Sequence, residues 1–245
     1  MRTLKITLAY DGTRFVGWQR QAAGESIQGL LEDALARLEG APVTVHGAGR
    51  TDAGVHALGQ VASARVTVTH DPSTLIRALN AHLPDEVRVI AVEDTDERFH
   101  ARFSASAKTY RYQIRNTSVA DPFDRAFVWH LPEPLSFDAM ARAAALFVGT
   151  HDFIAFRSVG SEIASSIRTV TRSAWHQQGG LLTYEISGNG FLRHMVRAIV
   201  GTLVEIGRGW RQPDEISSLL AGGTRADAGA TAPPHGLFLV SVDYD

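Results

Sequence analysis

The sequence contains no cysteine, so disulfide bonds and thiolate metal sites are excluded. It has no apolar run that approaches the length of a membrane-spanning helix. The first residues alternate in polarity like a strand and do not resemble a signal peptide. These absences predict a protein of a reducing compartment, and we expect it to be cytoplasmic and to have no membrane partner.

The motifs of common cofactor sites are absent as well. The 245 residues contain no glycine-rich phosphate loop with its lysine, no dinucleotide fingerprint and no serine nucleophile elbow. We therefore expect a protein that works without a cofactor. The formal net charge of −2 also differs from the strongly basic balance of a simple nucleic-acid binder.

Basic charge is nevertheless concentrated in one stretch. From Arg98 to Arg115 there is no acidic residue, and basic side chains alternate with aromatic ones. Tyr110 and Tyr112 lie two positions apart on a predicted strand, so both face the same side. This pattern predicts either ordinary packing in a sheet or an aromatic platform for a nucleic-acid base.

The order of the predicted elements indicates an α+β protein. Strands are predicted at 4–10, from 42 to a glycine-rich loop, at 59–69 and at 87–92, with helices after Ser26 and Asp71. This βαββαβ order is typical of a ferredoxin-like fold. The second part repeats the theme with insertions, through strands at 109–116, 168–176, 181–187 and 237–242 and helices at 137–147, 191–206 and 213–220. We predict two ferredoxin-like halves, 1–104 and 105–245, that form one pseudo-symmetric molecule with a central cleft.

A glycine-rich loop follows the second predicted strand. Gly47, Gly49 and Gly54 allow sharp turns, and Arg50 and Asp52 stand between them. Loops beside a rigid sheet are common places for chemistry. An aspartate in such a loop is also a frequent turn residue that bonds its own backbone, so the loop alone leaves both interpretations open.

A predicted helix carries a second candidate. On the helix expected from Phe191 to Ile206, Arg193 and Arg197 are four residues apart and share a face. They predict either a solvated basic face or an arginine directed at a carboxylate or a phosphate. Gly201, one turn further on, leaves that face open to a close approach.

Six segments together resemble the tRNA pseudouridine synthase A family. They are spread over nearly the whole chain and keep the order of the family, and the segment around the glycine-rich loop is the most specific. The segments are Leu8–Thr13, Gly17–Arg20, Ala48–Ala57, Ala105–Tyr112, Gly188–Gly201 and Ala232–Leu237.

The resemblance implies an isomerase that converts uridine to pseudouridine in the anticodon stem-loop of tRNA, at positions 38, 39 and 40. It implies that Asp52 is the catalytic aspartate, that Arg50 lies beside the flipped nucleotide, that Tyr110 stacks on the uracil and that Arg197 pairs with Asp52. It further implies a homodimer, with no metal and no cofactor. Whether Asp52 attacks the base, attacks the sugar or acts as a base stays open.

Two alternatives come from other classes of protein. A non-catalytic RNA-binding protein would explain the basic and aromatic stretch, but it gives the Arg-Thr-Asp loop no purpose. A metal-dependent hydrolase would use His46, Asp52 and His56 as ligands, although their spacing matches no familiar ligand pattern.

Overall fold

The structure is a computed structural model that describes residues 1–158 and 164–245. Within these residues it contains ten strands and five α-helices, so the protein is of the mixed α+β class. The strands are β1 (Arg2–Tyr10), β2 (Val45–Gly47), β3 (His56–Val66), β4 (Val87–Thr95), β5 (Ala105–Arg115), β6 (Trp129–His130), β7 (Gly149–Asp152), β8 (Ile167–Gln178), β9 (Leu181–Gly188) and β10 (Leu237–Tyr244). The helices are α1 (Ile27–Glu39), α2 (Pro72–His82), α3 (Phe137–Ala145), α4 (Met195–Gly207) and α5 (Glu215–Leu220).

The chain divides into two compact units. Unit 1 comprises residues 1–106 and 238–245, and unit 2 comprises residues 107–237. Among the described residues, no helix combines the length and the apolar character needed to span a bilayer.

Unit 1 has the βαββαβ order that the sequence predicts. β1 pairs antiparallel with both β3 and β4, and β2 pairs antiparallel with β3. β10 adds a parallel partner to β3 where Phe238 lies opposite His56. β2 is shorter than predicted, because its ladder with β3 includes only Val45–Gly47. β3 begins at residue 56 instead of 59, because His56 and Ala57 already pair with β10.

Both helices of unit 1 begin where the sequence predicts. Ser26 caps α1 by accepting a hydrogen bond from the backbone N–H of Gly29, and Asp71 caps α2 by accepting one from Thr74. α1 ends at Gly40, which has the left-handed φ of 72° that favours glycine at this position. Both helices place leucine side chains in the core of the unit, and Leu31, Leu75 and Leu79 are fully buried.

Unit 2 departs from a simple repeat of unit 1. Its strands pair antiparallel in the order β5–β9–β8–β7, and the short β6 lies parallel to β5. The predicted hairpin across Gly179 and Gly180 is present as β8 and β9. Nearly all of β10, the predicted last strand of the second half, belongs to unit 1 instead. Unit 2 by itself therefore does not reproduce the βαββαβ order.

Four tyrosines make the stability of the fold depend on pH under alkaline conditions. Burial raises the pKa of Tyr10 from 10.0 to about 12, and it also raises the pKa values of Tyr112, Tyr184 and Tyr244. Since each hydroxyl is neutral when protonated and its folded pKa lies above the unfolded value, its contribution to stability is complete below pH 10 and decreases as the pH rises further. We expect the tyrosinate absorbance of these four side chains to rise together with the loss of tertiary circular dichroism above pH 10, and a tyrosinate signal from them in the folded protein would contradict this.

Candidate active site

The glycine-rich loop of unit 1 is fastened to its neighbours by backbone hydrogen bonds. Ala48 donates to the carbonyl oxygen of Val61 in β3 at 2.7 Å, and Trp18 donates to the carbonyl oxygen of Thr51 at 3.0 Å. Val55 donates to the carbonyl oxygen of Asp52 at 3.2 Å, which closes a tight turn. Asp52 is half-buried at the head of this turn. The loop is therefore a fixed support for its carboxylate.

A buried polar network lies beneath the loop. The hydroxyl of Tyr10 is 2.9 Å from the Thr51 Oγ1, next to Asp52, and it accepts a hydrogen bond from the Gln60 Nε2 at 3.3 Å. The same amide donates to the carbonyl oxygen of Gly49 at 3.0 Å. Gln60 is fully buried and Tyr10 nearly so. Because a buried polar group must be hydrogen-bonded to avoid a large penalty, this network restricts the loop to one conformation.

A chain of glutamines orients Arg50. Its Nε donates to the Oε1 of Gln19 at 3.0 Å, and the Nε2 of Gln19 donates to the Oε1 of Gln28 in α1 at 2.8 Å. Gln28 in turn donates to the carbonyl oxygen of Val45 in β2 at 2.9 Å. The exposed guanidinium of Arg50 is thus tied through two amides to both a helix and a strand.

The glycines of the loop serve different purposes. Gly54 has a φ of 76°, which is the freedom that the sequence predicts. Gly47 is needed for contact, since an added Cβ would lie 2.4 Å from the indole ring of Trp18. Outside the loop, Gly17 combines both requirements: its φ is 102°, and an added Cβ would lie 2.5 Å from the carbonyl oxygen of Thr51.

The three residues of the metal hypothesis have other contacts. The ring of His46 stacks on His100 with centroids 4.8 Å apart, and the buried Nδ1 of His56 accepts a hydrogen bond from the Gly12 N–H at 3.0 Å. In residues 1–158 and 164–245, no group of three or more His, Cys, Asp or Glu side chains is arranged to hold a metal ion. The predicted combination of His46, Asp52 and His56 therefore does not form a ligand set.

In unit 2 the two tyrosines of β5 face the same side, as predicted, and both are buried. Tyr110 is 8% exposed, and the ring of Phe191 meets its ring edge-on at 5.1 Å. Tyr112 is fully buried, and its hydroxyl donates to the carbonyl oxygen of Pro233 at 2.8 Å. The packing interpretation is therefore correct for Tyr112, and Tyr110 is nearly as deeply buried.

The helix of Arg197 differs from the prediction. α4 begins at Met195, not Phe191, because His194 has a left-handed φ of 62° and precedes it as the N-cap. Arg193 thus lies before the helix and does not share a face with Arg197, and the basic helix face that we expected is wrong. α4 is instead mostly buried.

Arg197 is held in place by the backbone of a neighbouring segment. Its Nε donates to the carbonyl oxygen of Ala232 at 2.8 Å, and Ala232 donates to the carbonyl oxygen of Arg197 at 3.0 Å. The close approach expected at Gly201 is confirmed, since an added Cβ would lie 1.6 Å from the carbonyl oxygen of Ala230.

The basic stretch from 98 to 115 separates into two environments. In unit 1, Arg98 and Arg102 are exposed. In unit 2, Arg111 forms an ion pair with Glu185 at 3.2 Å, and Arg115 forms one with Asp124. The exposed positive charge that a phosphate could meet is therefore carried by the N-terminal part of the stretch.

The geometry of unit 1 describes a carboxylate and a guanidinium displayed on a loop with a buried polar support, which is suited to chemistry on a polar substrate. The comparison with known families identifies the class. The family model described as "tRNA pseudouridine synthase" matches residues 6–104 and 143–245. Pseudouridine synthases are isomerases, and the chain belongs to the tRNA pseudouridine synthase family.

Curated relatives agree over the full length of the chain. Proteins named tRNA pseudouridine synthase A from Exiguobacterium sp. and Geobacillus sp. are 42% and 44% identical over 245 residues, which is 100% of this chain and 99% of each relative. The protein of that name from Moorella thermoacetica is 46% identical and covers 100% of both chains. The predicted resemblance is confirmed.

Proposed function

We propose that this protein converts uridine to pseudouridine at positions 38, 39 and 40 in the anticodon stem-loop of tRNA, with Asp52 as the catalytic residue. The loop that carries Asp52 is the observation on which this proposal depends. Asp52 is half-buried, and the residues just before it are held by hydrogen bonds of Tyr10 to the Thr51 hydroxyl and of Gln60 to the Gly49 carbonyl oxygen. A turn aspartate in an ordinary loop needs no such support.

The proposed reaction can proceed with a carboxylate as the catalytic group. The bond between ribose C1′ and uracil N1 breaks, the ring turns, C5 bonds to C1′, and the proton on C5 leaves. The overall reaction is a rearrangement within one nucleotide, so it needs no electron acceptor and no water. An ionised aspartate can act as a nucleophile or as a general base in this sequence.

Three further side chains have roles in the proposed site. The target base must leave the stack, which costs a few kcal/mol, and an aromatic side chain restores about 1–3 kcal/mol per base. Tyr110 stacks on the uracil, Arg50 lies beside the extruded nucleotide, and Arg197 supplies the cation for the Asp52 carboxylate. Support comes from the glutamine chain that orients Arg50 and from the backbone carbonyl that orients Arg197.

The proposal extends to the assembly. We propose a cytoplasmic homodimer that binds tRNA, each subunit being built from two ferredoxin-like halves. The βαββαβ order of unit 1 supports the halves, and the homodimer follows from the family resemblance. Light scattering at working concentration tests the homodimer, and a monomer that still forms pseudouridine would contradict it.

Position mapping tests the proposed substrate. Three transcripts of one tRNA, each with a single uridine at 38, 39 or 40, are incubated with the protein and then mapped by carbodiimide treatment and primer extension. We expect pseudouridine in all three and none in a matched transcript that lacks uridine at these positions. Modification confined to another arm of the tRNA would contradict the proposal, as would a protein that binds all four transcripts and modifies none.

A further inference from the structure

Three rings and a guanidinium form an exposed cluster in unit 1, which we call the ring stack. The ring of His46 stacks on the ring of His100 with centroids 4.8 Å apart. The centroids of the His100 and Phe103 rings are 4.4 Å apart. The guanidinium carbon of Arg102 lies 5.6 Å from the centroid of the Phe103 ring. Phe103 is 76% exposed, so most of its surface is accessible to a ligand.

The loop that displays Phe103 is firmly built. The Nδ1 of His100 accepts hydrogen bonds from the backbone N–H groups of Arg102 at 3.1 Å and Phe103 at 3.4 Å. The backbone N–H of Ala101 donates to the Oγ of Ser63 in β3 at 3.1 Å, and its carbonyl oxygen accepts from the Tyr244 hydroxyl at 2.8 Å. The backbone that carries the Phe103 ring is therefore held in place by hydrogen bonds.

The ring stack and the loop of Asp52 are joined through a small buried cluster. Ala101, at the centre of the Phe103 loop, is fully buried in a small cluster with Ala48 and Val61. Ala48 lies within the glycine-rich loop, four residues before Asp52, and His46 lies at its start. A group bound on the ring stack would thus be positioned by the same elements that position the carboxylate.

The chemistry of the cluster favours a nucleic-acid base over an apolar partner. Burial lowers the pKa of His100, as do the neighbouring His46 and Arg102, so its imidazole is neutral and can stack as an aromatic ring. Arg98 and Arg102 add positive charge, and the segment 98–104 has no acidic residue. Phe103 is the one large apolar side chain exposed in the segment 96–106, where its neighbours in the chain are Arg102 and Ser104.

We propose that the exposed ring of Phe103 is a stacking platform for an unpaired base of the RNA substrate, supported by His100 and His46, with Arg102 contacting the adjacent phosphate. The inference rests on the proposed function, because it supplies a second contact for the same tRNA. A ring backed by two further rings and flanked by a cation is the arrangement with which proteins bind single-stranded bases.

Substitutions of Phe103 in the full-length protein test the platform. Phe103→Ala removes the ring, Phe103→Leu keeps an apolar side chain without an aromatic face, and Phe103→Tyr keeps the face. We expect tRNA affinity, measured by filter binding, to fall about 5- to 100-fold in the first two variants and to change less than about threefold in the third.

Two further variants test the platform: a control substitution at Phe123, and a fluorescent tryptophan in place of Phe103. Phe123 is 91% exposed in unit 2, and Phe123→Ala should leave tRNA affinity unchanged. In Phe103→Trp, the fluorescence of the added indole should be quenched by tRNA, beyond the change seen in wild type. Retained affinity in Phe103→Leu would overturn the platform, and so would a change in oligomeric state of Phe103→Ala, which would make the ring a contact between subunits.

Failure of the platform and failure of the proposed function are separable. Active wild type with unaltered Phe103 variants overturns the platform alone. Wild type that binds tRNA through Phe103 and forms no pseudouridine overturns the proposed function and leaves the platform standing.

Discussion

Asp52→Asn is expected to abolish pseudouridine formation, with turnover reduced about 10³-fold or more, while tRNA affinity stays within about threefold of wild type. The amide has the shape of the carboxylate but can neither act as a nucleophile nor accept a proton at neutral pH. Affinity should persist because most contacts to RNA come from cations and aromatic rings, and loss of one negative charge near phosphates weakens no attraction.

The control for this substitution is another aspartate of the same unit. Asp243 is exposed on β10, and Asp243→Asn removes the same charge far along the chain from the loop. It should retain wild-type turnover, which would show that net charge is not the cause. Turnover near wild type in Asp52→Asn would remove Asp52 from the catalytic role. Loss of tRNA binding in that variant would instead indicate a contribution to the fold of the loop.

Gly17→Ala is expected to lower the free energy of unfolding by roughly 3 kcal/mol and to reduce turnover together with it. The substitution forces a side chain into a φ of 102°, which costs of order 1–3 kcal/mol, and it places a methyl group 2.5 Å from the carbonyl oxygen of Thr51. That oxygen accepts the hydrogen bond of Trp18, next to the catalytic residue of the proposal. The loop must therefore move, and the carboxylate with it.

Gly40 provides the matched comparison. It too has a left-handed φ, of 72°, but an added Cβ at this C-cap would meet nothing within 4 Å. Gly40→Ala should therefore cost about 1 kcal/mol and leave turnover unchanged. Denaturant unfolding and turnover of both variants separate backbone strain from displacement of the loop. Equal effects in the two variants would contradict the close packing of Gly17 against the loop.

Unit 1 could be predicted from its sequence because local signals agree with the tertiary structure. Ser26 and Asp71 are strong N-caps, Gly40 is a strong C-cap, and the apolar spacing of α1 and α2 matches their buried faces. The strand ends were less predictable, since they depend on pairing with β10, which is more than 170 residues away along the chain. No local pattern contains that information.

The residues of the candidate site could be predicted from the sequence, but the hydrogen-bond network that supports them could not. The spacing of glycines indicated the loop of Asp52, whereas the network of Tyr10 and Gln60 beneath it combines two strands that are far apart in sequence. The sequence predicts a start for α4 that is four residues too early, because the apolar periodicity of the helix continues back through Leu192. The left-handed backbone at His194, which ends the helix on that side, could not be predicted from its neighbours in the sequence. The ring stack could not be predicted from local sequence, since His46 pairs with Ser63 across β2 and β3, and Ser63 in turn accepts a hydrogen bond from Ala101, next to His100.

The most direct test of the account is release of tritium from tRNA labelled at C5 of uridine, with wild type and Asp52→Asn measured side by side in the absence of metal and nucleotide. We expect release by wild type alone, which would report both the rearrangement and the carboxylate responsible for it. Release at equal rates by both proteins would contradict the role of Asp52. No release by either, with tRNA bound, would contradict the proposed activity and favour an RNA-binding protein.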